Sequence, residues 1–426
     1  MSIHPMRRIA VIGAGITGVT TARALHARGF EVTVFDRNRY AAMETSFANG
    51  GQLSASNAEV WNSWGTILKG LKWMLKSDAP LSVNPWPTWH KYSWMAEFMA
   101  NIPNYRRNTV ETVRLALQAR TLLEDHAAEY GFEFAAEHRG ILHVYADRKD
   151  FAHATRVNNV LAQGGLDRRA VTVDEILEIE PTWKCELIGV NYTRSDFTGD
   201  IHRYTTGLAS ALSERGVDFR YETAVDDVAH ISNGVVVGHG GNEEIFDGIV
   251  VCAGVRSRDL AAQVGDRVNI YPVKGYSITV NLNDEASRAA APWVSLLDDK
   301  AKIVTSRLGE DRFRLAGTAE FNGYDRDIRQ DRIDPLIRWC ETHFPGVSTE
   351  DVTPWAGLRP MMPNMMPRVG AGRRPGVFYN TGHGHLGWTL SAATAEIVGD
   401  AVLAGSRQSQ QHTAPDTTGL EHAAAV

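Results

Sequence analysis

The feature that most constrains the fold of this chain is a glycine-rich turn near the start of the sequence. "RIAVIGAGITGVTTARALHARGFEVTVFD" predicts a strand, a tight turn, a helix that ends at Gly29 and a second, alternating strand. Gly13, Gly15 and Gly18 form the pattern G-x-G-x-x-G at the turn. The first glycine permits the turn, the second lets the backbone approach a pyrophosphate, and the third lets the helix pack closely on the strand. We therefore predict a doubly wound parallel sheet that binds a dinucleotide at this turn.

The end of the second strand supports the same prediction. Asp36 lies 18 residues beyond Gly18, where a carboxylate can accept hydrogen bonds from an adenosine ribose. It argues against a 2′-phosphate, although Arg37 follows it. The free N–H groups and positive dipole end of the helix suit phosphates, and NAD and FAD fit this loop equally well. The residues predicted to contact this half of the cofactor are Val11, Ile12, Gly13, Ala14, Gly15, Ile16, Thr17, Gly18, Asp36 and Arg37.

Three later segments favour a flavin. "METSFANGGQLS" is rich in small polar residues that can cover a pyrophosphate and approach an isoalloxazine, and the strand in "FDGIVVCAGVRS" ends in small residues over which a dinucleotide can lie. "NTGHGHLGWTLSAATAEI" predicts a second glycine-rich helix start, whose dipole can stabilise the negative charge of a reduced flavin. A nicotinamide carries no comparable anion. We therefore predict FAD, with further contacts from Thr45, Ser46, Asn49, Gly50, Gly51, Gln52, Val225, Ala253, Gly254, Gly382, His383, Gly384, Leu386, Gly387, Trp388 and Thr389.

The remaining sequence interrupts these nucleotide-binding segments. We predict an α/β fold with a discontinuous, Rossmann-like FAD-binding domain and an α+β substrate-binding or cap domain that carries an antiparallel sheet. The FAD-binding domain takes residues 1–60, 165–265 and 345–405, the substrate-binding domain takes 61–164 and 266–344, and a disordered polar tail takes 406–426. Six of the eleven tryptophans fall within 61–105. They predict a lid or a core between the domains, with contact to a bilayer interface as the alternative.

Charge and cysteine content exclude other classes. The formal net charge of −6 gives no reason to expect nucleic acid binding. Cys185, Cys252 and Cys340 are widely spaced, so they predict neither a metal site nor a disulfide framework and fit a reducing compartment. No segment approaches the roughly 18 uninterrupted apolar residues of a membrane-spanning helix. We expect a cytoplasmic protein, with peripheral contact at the inner face of the cell membrane as a further expectation.

Taken together, the motifs resemble those of bacterial FAD-dependent D-amino acid dehydrogenases in the glycine oxidase/D-amino acid oxidase-like superfamily. The resemblance runs from residue 9 to about residue 400 and is carried by "GAGITG", "ETSFANGGQLS", "LKGLKWMLKSDAPL", "YPVKGYSITV", "WAGLRPMMP" and "NTGHGHLGWTLS". It implies oxidative deamination of a D-amino acid to a 2-oxo acid and ammonia, by hydride transfer from Cα to flavin N5. It also implies that the electrons pass to a quinone or another respiratory-chain acceptor rather than to oxygen.

The same resemblance implies a carboxylate-binding residue. Arg359 lies between Gly357 and Pro360, and a guanidinium fixed in this way can bind an α-carboxylate bidentately, as the matching arginine does in the family. Tyr276 is predicted to add a hydroxyl to that carboxylate or to cover the site, with cross-strand packing as the alternative. Lys274 is expected to be structural or to lie next to the flavin. The predicted catalytic set is Arg359, Tyr276 and His385.

The chain departs from the family at two places. The family usually has Asp-Gly after "GLRPMTP", where this chain has "NMMP" starting at Asn364, and His385 replaces a threonine or another small residue. We expect both positions near the substrate and the flavin. His383 and His385 are candidate bases, although histidines beside glycines more often have hydrogen-bonding or packing roles. The alternatives left open are an oxygen-using oxidase of glycine, sarcosine, D-proline or opine type, an NAD-dependent dehydrogenase, and a flavin-binding subunit without turnover.

Overall fold

The computed structural model describes residues 7–73, 80–183 and 187–411. Three predicted features fall wholly or partly outside the described residues: Cys185, residues 74–79 of the motif "LKGLKWMLKSDAPL", and residues 412–426 of the predicted tail. The helices are α1 Ile16–His26, α2 Trp64–Trp73, α3 Trp89–Ala100, α4 Tyr105–Tyr130, α5 Arg148–Gln163, α6 Val173–Ile179, α7 Ile201–Glu214, α8 Ser257–Gln263, α9 Glu285–Ala290, α10 Gln330–His343 and α11 Gly387–Gln411.

The predicted strand, turn, helix and strand form the centre of a parallel sheet. In the described residues this sheet has the order β19-β20-β13-β1-β2-β9, parallel except that β19 runs antiparallel to β20. Its strands are β1 Arg8–Ile12, β2 Glu31–Phe35, β9 Asp218–Arg220, β13 Gly248–Val251, β19 Arg368–Ala371 and β20 Val377–Thr381. The first, second and last thirds of the chain each supply a central strand, so the predicted discontinuous Rossmann-like sheet is confirmed.

A second, larger sheet contains most of the remaining strands. Its order is β18-β14-β17-β16-β15-β5-β7-β6, with β4 paired to β17. The strands are β4 Leu81–Val83, β5 Ile141–Tyr145, β6 Arg169–Val171, β7 Gly189–Thr193, β14 Tyr271–Asn281, β15 Ser295–Asp298, β16 Ile303–Arg307, β17 Arg312–Phe321 and β18 Val352–Met361. Most of its pairs are antiparallel, as predicted, but β15 pairs with β5 and β4 with β17 in parallel.

Two small sheets complete the strands. An antiparallel sheet of β10 Val225–Ile231, β11 Gly234–His239 and β12 Asn242–Phe246 packs on the parallel sheet, where Val235, Val237 and Phe246 join the core cluster of Ile249 and Val251. A short pair, β3 Gln52–Leu53 with β8 Phe197–Thr198, crosses between distant parts of the chain. It fixes the predicted loop at residues 43–54 against the segment that precedes α7.

Several strands and one helix join a different sheet or core from the one that the predicted domain boundaries imply. Strands β6 and β7 and strand β18 pair within the large sheet, although they fall in ranges assigned to the FAD-binding domain. Helix α4, assigned to the substrate-binding domain, buries Val113, Ala116 and Leu123 in the same core as α1 and α11. The expectation of a disordered tail is wrong for residues 406–411, because α11 continues to Gln411. Sequence pattern identifies such elements but does not say which sheet or core they join.

Candidate active site

One large cavity lies where the parallel sheet and the large sheet meet. Its volume is about 1220 Å³, and its lining comes from the glycine turn after β1, from strands β14, β17 and β18, and from the start of α11. This exceeds the roughly 300–1,000 Å³ of a pocket for one drug-sized ligand. The cavity therefore has room for a dinucleotide and a small substrate together.

The glycine turn forms one end of the cavity. Gly13 has φ of 108°, and a Cβ there would lie 2.7 Å from the carbonyl oxygen of Cys252. A Cβ on Gly18 would lie 1.8 Å from the carbonyl oxygen of Gly13, so α1 packs against the turn at a distance that no side chain permits. Helix α1 begins after Gly15 without a side-chain cap. Gly15 offers no side chain to cap the helix, so the N–H groups of the first turn that Ser46 does not bind face the cavity, as an anion site requires.

Asp36 holds this turn from the neighbouring strand. Its Oδ2 accepts from the backbone N–H of Ala14 at 2.7 Å, and its Oδ1 accepts from the backbone N–H of Asn38 at 2.8 Å. Its Oδ1 also accepts from Asn38 Nδ2 at 2.9 Å, so about one of the four acceptor positions of the carboxylate remains for a ribose hydroxyl. Arg37 donates to Glu44, which also pairs with Arg326 at 2.8 Å.

Most of the predicted cofactor residues line the cavity. These are Ile12, Gly13, Gly15, Ile16, Thr17, Asp36, Arg37, Thr45, Ser46, Asn49, Gly50, Gly51, Gln52, Val225, Ala253, Gly254, Gly382, His383, Gly384, Leu386, Gly387, Trp388 and Thr389. Val11, Ala14 and Gly18 are not part of the lining and instead form the support behind the turn. Ser46 Oγ accepts from the N–H of Ile16 at 3.0 Å, which ties the second predicted segment to the first.

The second glycine-rich turn lies at the opposite end. Gly382 and Gly384 have φ of 77° and 61°, and α11 begins at Gly387. An isolated bridge between His383 and Met361 joins this turn to the end of β18. The His383 Nε2 atom lies 2.9 Å from Thr394 Oγ1, and burial lowers the pKa of the ring to about 3. His383 is therefore a buried structural histidine, as its setting among glycines favoured.

Arg359 projects from β18 into the same cavity. Its Nη1 donates to the carbonyl oxygen of Thr318 at 2.8 Å, and burial lowers its pKa to about 10. Among the described residues no carboxylate lies within 4.0 Å of its guanidinium. A Cβ on Gly275 of β14 would lie 2.2 Å from Arg359 Nη2, so the side chain crosses the neighbouring strand through a position that must be glycine. A cation that lines the cavity without an acidic partner within 4.0 Å is suited to bind an anionic ligand.

The carbonyl that holds Arg359 comes from an irregularity in β17. Between the pairs Lys274–Glu320 and Tyr276–Gly317, β17 contains one more residue than β14, which is a β-bulge. Thr318 lies in that bulge with φ of 57°, a left-handed conformation that β-branched residues rarely adopt. No sequence signal marks this bulge, so the contribution of Thr318 was not predicted.

His385 lines the same cavity as Arg359, whose charge acts on its ring. Its ring stacks on the indole of Trp61, with centroids 4.6 Å apart and planes inclined by 20°. Burial and, secondly, the charge of Arg359 lower the pKa of His385 to about 4. The imidazole is therefore neutral near pH 7. Trp61 was predicted only as part of the tryptophan-rich segment.

Tyr276 lines the cavity, but its hydroxyl is directed to another partner. Because Gly275 faces Arg359, Tyr276 points to the opposite face of β14, where its hydroxyl donates to Glu320 Oε2 at 2.6 Å. Burial and the Glu320 carboxylate raise the pKa of Tyr276 to about 12. Lys274, fully buried, lies 3.3 Å from the same carboxylate and donates to Asp325, which fits the structural role expected for it. Tyr276 thus lines the cavity while its hydroxyl is engaged with the carboxylate of Glu320.

The two positions at which the sequence departs from the family pattern lie in different surroundings. His385 lines the cavity, but Asn364 does not. The Asn364 side chain accepts from the N–H of Met366 at 3.1 Å, and its carbonyl accepts from Asn108 of α4 at 3.0 Å. The expectation that Asn364 lies near the substrate is therefore wrong, because this segment turns away from the cavity to pack on α4.

The residues at the two ends of the cavity fit FAD. The first turn has no room for a side chain at Gly13 or Gly18, and its N-cap residue Gly15 has no capping side chain. Asp36 retains an acceptor position, and the second turn starts a helix 25 residues long. Phosphates and ribose would be held at the first turn and the isoalloxazine at the second.

The described residues contain no cluster of three or more potential metal ligands. None of the helices in residues 7–73, 80–183 and 187–411 has the length and apolar character to cross a membrane.

Comparison with known proteins gives a consistent result. The family described as FAD dependent oxidoreductase, DAO, matches residues 8–401. D-amino acid dehydrogenase 3 of Mesorhizobium japonicum is 61% identical over 400 residues, which is 93% of this chain and 97% of that protein. D-amino acid dehydrogenase of Dechloromonas aromatica is 40% identical over 407 residues, 93% of this chain and 96% of that protein.

Solved structures agree at the level of the fold. Glycine oxidase from Geobacillus kaustophilus superposes with a TM-score of 0.74 at 21% identity, covering 93% of this chain and 95% of that one. L-proline dehydrogenase from P. horikoshii gives a TM-score of 0.73 at 17% identity and covers 94% of both chains. The predicted fold class, family and FAD cofactor are thereby confirmed. This chain belongs to the DAO family of FAD-dependent oxidoreductases.

Proposed function

We propose that this enzyme oxidises free D-amino acids to 2-oxo acids and ammonia and passes the electrons to a quinone or another acceptor than oxygen. The observation that carries the proposal is the guanidinium of Arg359, which lines the cofactor cavity without a carboxylate within 4.0 Å among the described residues. An amino acid supplies the missing carboxylate. The relatives named D-amino acid dehydrogenase support the D-enantiomer and the dehydrogenase type.

The reaction needs positioning more than acid–base groups. Bound FAD would accept a hydride from the substrate Cα, and loss of the amine proton leaves an imino acid that water hydrolyses to the 2-oxo acid and ammonia. Arg359 would bind the carboxylate with two parallel hydrogen bonds, while the Thr318 carbonyl limits the movement of its guanidinium. Holding the substrate in one orientation accounts for a large part of the rate enhancement in such reactions.

The neutral state of His385 fits the same chemistry. The Cα–N unit becomes positively charged as the hydride leaves, so a second cation next to Arg359 would oppose the reaction. With its pKa lowered to about 4, the imidazole adds no charge at neutral pH. The amine would bind unprotonated, so its lone pair stabilises the developing charge, and no dedicated general base is required.

An exposed aromatic patch supports a membrane-bound acceptor. The name covers five exposed side chains, Trp64 and Leu68 on α2, Trp86 before α3, and Trp89 and Tyr92 on α3, with relative exposures of 63%, 59%, 74%, 84% and 50%. Tyr92 also lines the cavity, so the patch adjoins the site. Tryptophan and tyrosine are favoured at bilayer interfaces. We propose that the patch contacts the membrane peripherally and that a quinone takes the electrons there.

Hydrogen bonds from Lys91 hold the backbone around the exposed Trp86. Lys91 is buried, and its Nζ donates to the carbonyl oxygens of Asn84 and Trp86, at 2.5 Å each. These two bonds stabilise the turn of the proline-containing segment before α3, in which the indole of Trp86 is exposed to solvent. Of the remaining tryptophans of the segment whose side chains are described, Trp94 is buried and Trp61 stacks on His385. The segment thus combines the predicted core role with an exposed face.

The main test is flavin reduction without oxygen. The FAD-loaded enzyme is mixed anaerobically with D- and L-amino acids in parallel, and the flavin absorbance near its visible maximum is followed. We expect bleaching by D-amino acids and little by their L-enantiomers. If neither enantiomer bleaches the flavin, the proposal is wrong; equal bleaching by both would contradict the D-preference.

The acceptor and the membrane contact need separate measurements. Peroxide production in air is compared with reduction of a soluble quinone at the same substrate concentration, and faster peroxide production would identify an oxidase instead. For the patch, co-sedimentation with anionic phospholipid vesicles is measured for wild type and for Trp86→Ser with Trp89→Ser. The control is Ile245→Ser, an exposed apolar residue on β12. Loss of vesicle binding in the tryptophan variant alone is expected.

A further inference from the structure

We propose that Trp61 is a positioning residue for this reaction: its indole holds the His385 ring in one orientation beside Arg359 on the substrate side of the cavity. The inference rests on the amino acid oxidation proposed above, and it concerns a residue outside the cofactor motifs. Trp61, His385 and Arg359 all line the same cavity.

The geometry of the pair is that of a stack. The ring centroids are 4.6 Å apart and the planes differ by 20°, so the indole covers one face of the imidazole. Stacked aromatic rings prefer centroid separations of roughly 4.5–7 Å. His385 is also confined along the chain, because it lies between Gly384, at φ of 61°, and the first turn of α11. Trp61 therefore covers one face of the imidazole, and the glycine-rich turn fixes the backbone from which the His385 side chain projects.

Trp61 is itself held firmly. The side chain of the next residue, Asn62, is fully buried and donates from Nδ2 to the carbonyl oxygens of Phe98 at 3.0 Å and Pro363 at 2.9 Å. The N–H of Val60 donates to Thr109 Oγ1 at 3.3 Å. These contacts fix the segment to α3, to α4 and to the turn after β18. The hydrogen bonds on both sides of Trp61 therefore hold its indole against His385. The two residues are more than 300 positions apart in sequence.

The charged and titratable groups around the pair indicate what the stack does. Arg359 is the charged group whose field lowers the pKa of the His385 ring. Glu59 lines the cavity but accepts from the Tyr105 hydroxyl at 2.6 Å and lies 3.6 Å from His153 Nε2. His383 is bonded to Thr394. Covering the imidazole keeps water from solvating its charged form, so the stack and Arg359 act together to keep His385 neutral.

Removal of the indole should therefore change a titration. In Trp61→Ala, water reaches the imidazole face, and the pKa of His385 should rise from about 4 by about one unit or more. A protonated His385 beside Arg359 would add a second positive charge where the substrate becomes cationic. Flavin reduction should then slow at acidic pH in this variant, whereas Trp61→Phe retains an aromatic cover and should behave like wild type.

The first experiment does not depend on turnover. FAD-loaded wild type, Trp61→Ala and Trp61→Phe are labelled with ¹³C-histidine and titrated by NMR, and His385→Asn identifies the resonance. Far-UV circular dichroism and FAD content show that each variant is folded and loaded. An upward shift in Trp61→Ala that is absent in Trp61→Phe is the expected result. A His385 pKa within about 0.3 unit of wild type in folded Trp61→Ala would overturn the inference. If Trp61→Ala does not fold, Trp61→Leu replaces it under the same criterion.

The second experiment connects the stack to the reaction. The rate of anaerobic flavin reduction at saturating amino acid is measured from pH 5 to pH 9. In Trp61→Ala we expect a loss of about twofold at pH 5 relative to wild type if the pKa of His385 rises by about one unit, and of about tenfold if it rises by about two units, because only the neutral form supports the reaction. The double variant Trp61→Ala/His385→Asn should not show this additional acid loss. An equal acid loss in the double variant would mean that Trp61 acts by another route. If wild type is not reduced by any amino acid, the proposed function fails while the NMR result still stands.

Discussion

The Nη1 atom of Arg359 donates to the main-chain carbonyl oxygen of Thr318 at 2.8 Å, and this bond joins β18 to the bulge of β17 across the intervening strand β14. Three local irregularities make it possible: Gly275, which leaves space for the guanidinium, the additional residue in β17, and the left-handed conformation of Thr318. A guanidinium has five N–H donors, so one bond to a carbonyl leaves donors for a ligand. The arrangement fixes the cation without neutralising it.

Replacing Arg359 by lysine tests its proposed role. Lysine keeps the charge but cannot form two parallel hydrogen bonds with a carboxylate. We expect the KM for the amino acid to rise by roughly ten- to hundredfold, with FAD content unchanged. Steady-state kinetics and the flavin absorbance of the purified variant measure the two quantities. A KM within about twofold of wild type would show that the substrate carboxylate binds elsewhere.

Thr318→Gly tests the bulge. Because Thr318 has φ of 57°, the strain of a left-handed β-branched residue is removed by glycine, which adopts this conformation freely. The free energy of unfolding should stay the same or rise by up to about 1–2 kcal/mol, and the KM for the amino acid should change little. Thr318→Pro, which fixes φ near −65°, should weaken substrate binding instead. Urea denaturation and kinetics on both variants provide the comparison.

Two glycines of the first turn should respond differently to alanine. A Cβ on Gly18 would lie 1.8 Å from the carbonyl oxygen of Gly13, whereas on Gly15 it would meet only Ser46 Oγ at 3.5 Å. Gly18→Ala should therefore lower the stability of the apoprotein by several kcal/mol, of the order of about 3 kcal/mol for severe overpacking. Gly15→Ala should keep that stability but bind FAD more weakly, because its methyl group would face the pyrophosphate. Thermal unfolding of the apoprotein and fluorescence titration with FAD separate the two effects.

Stability should fall in acid because of His383. Its folded-state pKa of about 3 lies below the unfolded value of about 6.5, so between these pH values the unfolded chain binds more protons than the native protein. The ring therefore adds no penalty above about pH 6.5, and it costs about 1.4 kcal/mol for each pH unit below that value. His383→Gln, whose amide can still bond to Thr394, should reduce the slope by this amount.

The measurement for His383 is urea unfolding at several pH values between 7 and 4.5. His138→Gln serves as the control, since the side chain of His138 is 55% exposed. An unchanged pH slope in His383→Gln would show that His383 does not remain neutral in the native protein as acid is added.

Tyr276→Phe distinguishes the structural position of the hydroxyl from the one predicted by sequence. The hydroxyl donates to Glu320, whose other oxygen accepts from Arg329 at 2.9 Å, so its loss leaves the cluster one donor short. We expect a loss of about 1–2 kcal/mol in the free energy of unfolding and a KM within about threefold of wild type. A large increase in KM at unchanged stability would instead mean that the hydroxyl reaches the substrate carboxylate.

The parallel sheet and the ends of the cofactor cavity were accessible from sequence because they depend on local backbone geometry. Gly13 and Gly18 have no room for a side chain, and residues with that requirement recur at a fixed spacing. The same holds for the second turn, where Gly382 and Gly384 need positive φ. The active-site wall differs: Trp61 comes from the segment before α2, Gly275 from β14 and Thr318 from β17, and the three carry no common sequence pattern.

The sequence by itself therefore determined the class of fold, the cofactor and the presence of an arginine between Gly357 and Pro360. Only the tertiary structure decided which way each side chain faces. Tyr276 and Gly275 are neighbours on β14, yet they point to opposite faces of the sheet, so the tyrosine hydroxyl serves Glu320 while the glycine admits Arg359. The reason is physical: periodicity predicts that strand residues alternate, but which face borders the cavity depends on how distant strands pair, and on one bulge in β17.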